Sequence, residues 1–221
     1  MFLEIQNFLT PQAVARLTAL AASVNFVDGK ISNPANQAKN NLHASHADPG
    51  YAASSAIVAD AFARSEPFCN FAYPTHVAPP LLARYEVGMN YGVHADTSHM
   101  RFGNELRRSD LSATVWLSPP DSYDGGELVV HLGTQTVVIK GTPGALMVYP
   151  STQLHEVTPV RRGTRLVSIT FIESMIPDEF LRTQLYDLSE VAALEGLNMQ
   201  WENRVRLDAV RNNLLRLWSR R

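Results

Sequence analysis

Disulfides, membrane-spanning segments and strong net charge are all missing from this chain, and each absence narrows what it can be. Its one cysteine, Cys69, has no partner for an internal bridge, so a reducing cytoplasm is the expected setting. No apolar stretch approaches the ~18 residues that a membrane-spanning helix needs. The start MFLEIQNFL lacks the basic region and small-residue cleavage site of a secretory signal. A formal net charge of −2 on 221 residues makes neither nucleic acid nor a membrane surface an expected partner. There is no internal repeat, low-complexity tract or obvious linker. HEVTP at 155–159 lacks the second histidine of the helical zinc-protease motif, and Pro159 opposes a helix there, which removes the metalloprotease reading.

What is present is an ordinary globular composition, long enough for one sizeable core. Thr10-Pro11 ahead of Val14, Leu17, Leu20 and Val24 predicts a capped helix. Residues 29–50, rich in Asn, Ser, Gly and Pro, read as a long loop whose role as a lid is left open, and 52–66 resumes helical character. From about residue 79, short β-rich runs follow one another: LLARYEV, YGVHAD, LSATVWLS, GELVVHL, QTVVIK, GALMVYP and RLVSITFIES. Asp124-Gly125-Gly126 and Gly133 supply turns with positive φ. Antiparallel hairpins of a sandwich or jelly roll are therefore predicted. After Pro177 helical spacing returns at Phe180, Leu181, Leu185 and Leu188, then at Leu207, Val210, Leu214 and Leu217. The expected organisation is a helical and loop cover over 1–78, a β core over 79–176 and a helical segment over 177–221, mainly β with flanking helices.

His94-Ala95-Asp96 is the strongest local signal, because alternate residues of a strand project to one side and can reach one metal ion. Alone, H-x-D is a common accident of surface residues. His155, after the compact strand of GALMVYPSTQLH, would complete a two-histidine, one-carboxylate facial set that leaves three positions open on iron. Arg165 then opens an apolar run and shares a strand face with Val167, Ile169 and Phe171. If that face points inward, its guanidinium is tolerable only when paired. A planar guanidinium grips a carboxylate in bidentate fashion, and the far carboxylate of 2-oxoglutarate is a suitable partner. The alternative is a solvated strand end beside Arg161 and Arg162. The remaining histidines, His43, His46, His76, His99 and His131, lack the spacing for a second metal and read as loop, pocket or surface residues. Of these His99, three residues beyond Asp96, is the one expected to face substrate.

These segments, in this order, resemble the PKHD-type hydroxylases of the prolyl-4-hydroxylase-like Fe(II)/2-oxoglutarate dioxygenases. The resemblance rests on VDG with an Asn-rich loop, PPLLARYEVGMNYGVHAD, RSDLSATVWLSPPDSYDGGELVV, GALMVYPSTQLHEVTPVRRGTR and the tail NNLLRLWS, and covers nearly the whole chain. It implies a double-stranded β-helix, a cupin-like jelly roll, with N-terminal and C-terminal helices. It also implies Fe(II) held by His94, Asp96 and His155, with Arg165 on the C5 carboxylate of 2-oxoglutarate. Tyr85 hydrogen-bonds the same cosubstrate in this reading, or else is a core tyrosine. No catalytic side chain beyond these ligands is implied. O2 is the second cosubstrate and L-ascorbate the reductant. The expected reaction is hydroxylation of an amino acid, a peptide or protein, or another small metabolite, releasing succinate and carbon dioxide. TSHMRFGNELRR after Asp96, and SITFIES, depart from the family's usual versions and point to a different substrate pocket. Two rivals stay open: a cupin-like metalloenzyme that does not use 2-oxoglutarate, and a non-catalytic sensor or interaction protein on the same fold. The apolar spacing beside Trp201 and Trp218 also suggests a homodimer through the C-terminal helices.

Overall fold

A computed structural model describes residues 1–32, 37–102 and 104–220. In chain order the first half contains β1 (Leu3–Ile5), α1 (Pro11–Ser23), β2 (Phe26–Asp28), β3 (Lys39–Asn40), β4 (Leu42–Ala44), α2 (Pro49–Arg64), α3 (Glu66–Ala72), β5 (Pro74–Val77), β6 (Leu81–Tyr85), β7 (Asn90–His94), β8 (His99–Phe102) and β9 (Glu105–Arg108). The second half contains β10 (Leu111–Trp116), β11 (Leu128–Leu132), β12 (Gln135–Ile139), β13 (Leu146–Pro150), β14 (His155–Val157), β15 (Arg165–Ser174), α4 (Glu179–Glu195) and α5 (Trp201–Trp218). Among the described residues, the larger sheet runs β1-β13-β10-β15-β6-β4-β2, with β5 also pairing β15, and the smaller runs β12-β11-β14-β7-β3. Strands β8 and β9 form a separate ribbon. The two antiparallel sheets make the double-stranded β-helix, and helices flank it.

Sequence alternation explains how the layers stack. Along β10, Leu111, Ala113 and Val115 pack with Leu17 of α1, Phe62 of α2 and Phe68 of α3. The intervening Trp116 instead joins Ala83, Met147 and Val167 of the large sheet and Leu128, Val130 and Val157 of the small one, in a second core between the sheets. Each fully buried aliphatic side chain in such a core contributes roughly 1.5–3 kcal/mol. The N-cap of α1 forms as the sequence predicts: Thr10 Oγ1 accepts the Ala13 N–H at 3.2 Å, with Pro11 in the first turn. Gly133, at φ +65°, makes the two-residue turn between β11 and β12, where Leu132 faces Gln135.

The first 78 residues are more than a cover of helices and loops. Strands β1, β2 and β4 extend the large sheet, β5 pairs with β15, and β3 joins the small sheet. Strands of two to four residues are too short for alternation to reveal. Of the loop expected over 29–50, residues 33–36 lie outside the described residues, while β3, β4 and the first turn of α2 occupy its later part. The run TSHMRFGNELRR, in which Gly103 lies outside the described residues, forms the β8–β9 ribbon. Helix α5 lies on α4, with Leu207 and Leu214 half-buried and Val210 and Leu217 exposed. No helix among the described residues is long and apolar enough to cross a membrane.

Candidate active site

Strand pairing brings the two histidines together. His94, at the end of β7, is the direct cross-strand partner of His155 at the start of β14, and such neighbours have Cβ atoms only about 5 Å apart. Asp96, two residues beyond His94, is held at their side by its N–H, which donates to Ser151 O at 3.1 Å. His94 Nε2 lies 3.7 Å from Asp96 Oδ1, and His155 Nε2 lies 3.6 Å from Asp96 Oδ2. The three donor atoms fall within 4.8 Å of one another.

Each imidazole is held in the form a metal requires. His94 Nδ1 donates to Gly92 O at 2.8 Å, and His155 Nδ1 donates to Gln153 O at 2.9 Å. A carbonyl can only accept, so each Nδ1 carries the proton and each Nε2 keeps a free lone pair. The Tyr91 ring stacks on His94 at 3.6 Å. Burial pulls the His155 pKa below its ordinary value, which favours the neutral ring. Burial alone would raise Asp96, yet the adjacent His94 and His155 rings and the Ser112 hydroxyl outweigh it and hold the carboxyl low. Ser112 Oγ donates to Asp96 Oδ2 at 2.5 Å, and behind it Ser112, Ser151 and Ser109 form a buried chain at 2.7 and 2.9 Å. Two neutral imidazoles and an ionised carboxylate, with no fourth protein ligand in the cluster among the described residues, fit the facial set of Fe(II) oxygenases.

A cavity of about 760 Å³ opens from this triad and includes Arg165 and Tyr85 in its walls. Arg165, at the start of β15, faces Tyr85 of β6 across the strand pair, with its guanidinium 4.9 Å from the ring centre. It is 2% exposed and therefore not a solvated strand end. No carboxylate among the described residues pairs with it, and its Nε–H has no hydrogen-bond partner. Arg161, by contrast, is exposed and pairs with Asp124 at 3.0 Å. A buried, unpaired guanidinium in a cavity fits an anionic ligand such as a dicarboxylate.

His99 is corrected by the structure. It lies exposed at the start of the β8–β9 ribbon, outside the cavity wall, whereas Met100, Arg101 and Phe102 contribute to that wall. Distance along the chain from Asp96 could not reveal that the ribbon turns His99 to solvent. The sequence reading also missed Lys39, Asn41 and His43, which line the cavity from β3, β4 and the residue between them. Burial pulls the Lys39 ammonium down to about 8, opposed by Asp96 and Asp28, and pulls His43 down to about 3, with Lys39 and His46 adding to the effect.

Residues 80–173 match the 2OG-Fe(II) oxygenase superfamily. A PKHD-type hydroxylase of Sphingopyxis alaskensis is 48% identical over 217 residues, which cover 98% of this chain and 99% of the relative. The chain belongs to the PKHD-type hydroxylases. A second member, from Xanthomonas campestris pv. campestris, is 38% identical over 228 residues, with 99% of each chain covered. Solved structures share the fold of this PKHD-type chain. A prolyl hydroxylase from Trichoplax adhaerens, in complex with a hypoxia inducible factor oxygen degradation domain peptide fragment, aligns at TM-score 0.60 with 17% identity, over 78% of this chain and 83% of that one. A Pseudomonas putida prolyl-4-hydroxylase aligns at TM-score 0.52 with 21% identity, over 78% and 92%. Membership of the PKHD-type hydroxylases makes the chain an oxidoreductase.

Proposed function

We propose that this chain hydroxylates its substrate with Fe(II) held by His94, Asp96 and His155, and with 2-oxoglutarate anchored by Arg165 and Tyr85. The observation that carries the reading is the buried, unpaired Arg165 in the same cavity as a two-histidine, one-carboxylate cluster. HygX from Streptomyces hygroscopicus, which aligns at TM-score 0.54 with 14% identity over 78% of this chain and 82% of that one, was solved with nickel and 2-oxoglutarate bound. When bound, Fe(II), 2-oxoglutarate and O2 supply the oxidation of a substrate C–H bond to an alcohol, with succinate and carbon dioxide as coproducts. The chain's own residues bind and orient. Gly92 O and Gln153 O fix the two imidazoles, and Ser112 fixes the carboxylate. Arg165 and Tyr85 take one carboxylate of the cosubstrate, so its other end is free for the triad. Leu128, Val157 and Ile169 give the cavity apolar surface that excludes water. L-Ascorbate serves as the reductant in this reading.

The test is anaerobic titration of the protein with Fe(II) and then 2-oxoglutarate, followed by the metal-to-ligand charge-transfer absorbance. His94→Ala, Asp96→Ala and His155→Ala should each lose most of the iron binding, and the wild type should form succinate with a turned-over substrate. Iron binding without the absorbance band would favour the cupin-like metalloenzyme instead. Absence of iron binding in the wild type would favour the sensor.

A further inference from the structure

Of the three candidate ligands, Asp96 is the one that no strand holds. His94 ends β7 and His155 opens β14, so both imidazoles stand on paired strands. Asp96 follows in the irregular segment between β7 and β8, where sheet pairing does not set the direction of its carboxylate. Another device must set it, because a metal site tolerates little displacement of a ligand.

The hydrogen bonds that take the place of pairing meet at Ser151, just after β13. Ser151 O accepts the Asp96 N–H at 3.1 Å, and Ser151 Oγ lies 2.7 Å from Ser112 Oγ, which donates to Asp96 Oδ2. Ser151 therefore reaches Asp96 twice, at its backbone directly and at its carboxylate through Ser112. Its own N–H donates to Asp110 O at 3.1 Å. Asp110 is in turn fixed to β15, by its N–H on Ile172 O at 2.9 Å and by the Ser174 N–H on its Oδ2 at 2.8 Å. Ser109, one residue earlier, donates its N–H to Ser98 O at 2.9 Å and places its Oγ 2.9 Å from Ser151 Oγ. The segment from Asp96 to Ser98 is thus clasped at one end by Ser151 and at the other by Ser109.

A count of protons fixes the direction of the hydroxyl chain. An ionised carboxylate can only accept, so Ser112 gives its single hydroxyl proton to Asp96 Oδ2. The contact between Ser112 and Ser151 then needs the Ser151 proton, and the contact between Ser151 and Ser109 needs that of Ser109. Three donors in line point at one ligand, and each polarises the next. Ser109, Ser112 and Ser151 are 6%, 2% and 2% exposed, so bulk water does not compete for these hydroxyls. Without the Ser151 hydroxyl, Ser112 keeps its acceptor and loses the donor that strengthens it.

We propose that Ser151 is a positioning residue for the metal: its hydroxyl touches no metal-binding atom, yet through Ser112 it directs the Asp96 carboxylate that its backbone also holds. This rests on the iron reading above. The test is anaerobic Fe(II) calorimetry on the wild type, Ser151→Thr and Ser151→Val, two replacements of nearly equal size that differ by the hydroxyl. Ser151→Thr should keep the wild-type affinity. Ser151→Val should lose about tenfold, the low end of what outer partners of metal ligands contribute. An alanine cycle supplies a second measurement. Because the hydroxyl acts through Ser112, Ser112→Ala combined with Ser151→Ala should weaken iron binding no more than Ser112→Ala alone, whereas independent sites would multiply their losses. Equal losses in Ser151→Thr and Ser151→Val would show that packing decides, and would overturn the assignment. Wild-type affinity in Ser151→Val, or multiplied losses in the double variant, would overturn it as well. If the β-branched variants do not fold, the alanine cycle decides alone. A wild type that binds no Fe(II) would fail the iron reading itself, while a wild type that binds and variants that match it would fail only the role of Ser151.

Discussion

Replacing Arg165 with Met should move stability and cosubstrate affinity in opposite directions. The guanidinium is 2% exposed and has no carboxylate partner among the described residues. Its compensation is the Tyr85 ring at 4.9 Å and the neighbouring Tyr123 phenol. Burying a charge costs several kcal/mol, whereas a desolvated cation–π contact returns about 2 kcal/mol. Without ligand, the Met side chain keeps the stem's packing and removes the charge, so Arg165→Met should be at least as stable as the wild type, by up to ~2 kcal/mol. With 2-oxoglutarate present, the missing partner should cost about 2–5 kcal/mol of binding, or roughly thirty-fold to several-thousand-fold in Kd. Urea unfolding of the metal-free proteins measures the first quantity. Anaerobic titration of 2-oxoglutarate into the Fe(II) proteins measures the second. If the variant lost several kcal/mol of ligand-free stability and kept wild-type cosubstrate affinity, Arg165 would be a structural residue and the anchor would lie elsewhere in the cavity.

Ser112→Ala removes the hydroxyl that donates to Asp96 Oδ2. Outer partners of metal ligands typically contribute 10–100-fold, so Fe(II) affinity should fall about tenfold, and an unchanged titration would show that the carboxylate is held without it. His43 makes stability depend on pH: burial lowers its pKa from 6.5 to about 3, so below 6.5 the unfolded chain takes up a proton that the folded chain refuses. The stability tied to neutral His43 is complete above that value and is lost as pH falls toward about 3, at ~1.4 kcal/mol per unit, or ~2 kcal/mol by about pH 5. Unfolding of His43→Gln should have a shallower acid limb than the wild type, and parallel limbs would refute the account. We also propose that the C-terminal helices pair two copies, because Leu197, Trp201, Val210 and Leu217 are exposed on or beside α5. Sedimentation should find a dimer that Leu217→Lys weakens, and a monomer at every concentration would confine these helices to their own barrel.

Much of the site was legible because its signals are local. His94 and Asp96 stand two residues apart, His94 as the last residue of β7 and Asp96 just beyond it, Arg165 heads an apolar run on an inward face, and the order of the long motifs marks the PKHD-type family. The strand-rich texture from residue 79 onward likewise follows from period-two patterning and turn glycines. Lys39, Asn41 and His43 carried no such signal, since a polar inward face looks like a loop until burial is known. His99 carried a misleading one, because proximity in sequence to Asp96 says nothing about which side of a ribbon faces the cavity.

The sequence by itself therefore determined the fold class, through short-range periodicity and turn residues, and the family, through the order of its long motifs, and it offered His94, Asp96 and His155 as the candidate ligand set. Only the tertiary structure decided that His94 stands opposite His155, that Arg165 stands opposite Tyr85, and that Ser112 of β10, with Ser109 just before that strand and Ser151 just after β13, lines up behind Asp96. Those juxtapositions depend on the register between strands far apart in the chain. Register is set by which faces are buried when the two sheets close on one another, a property of the whole packed molecule.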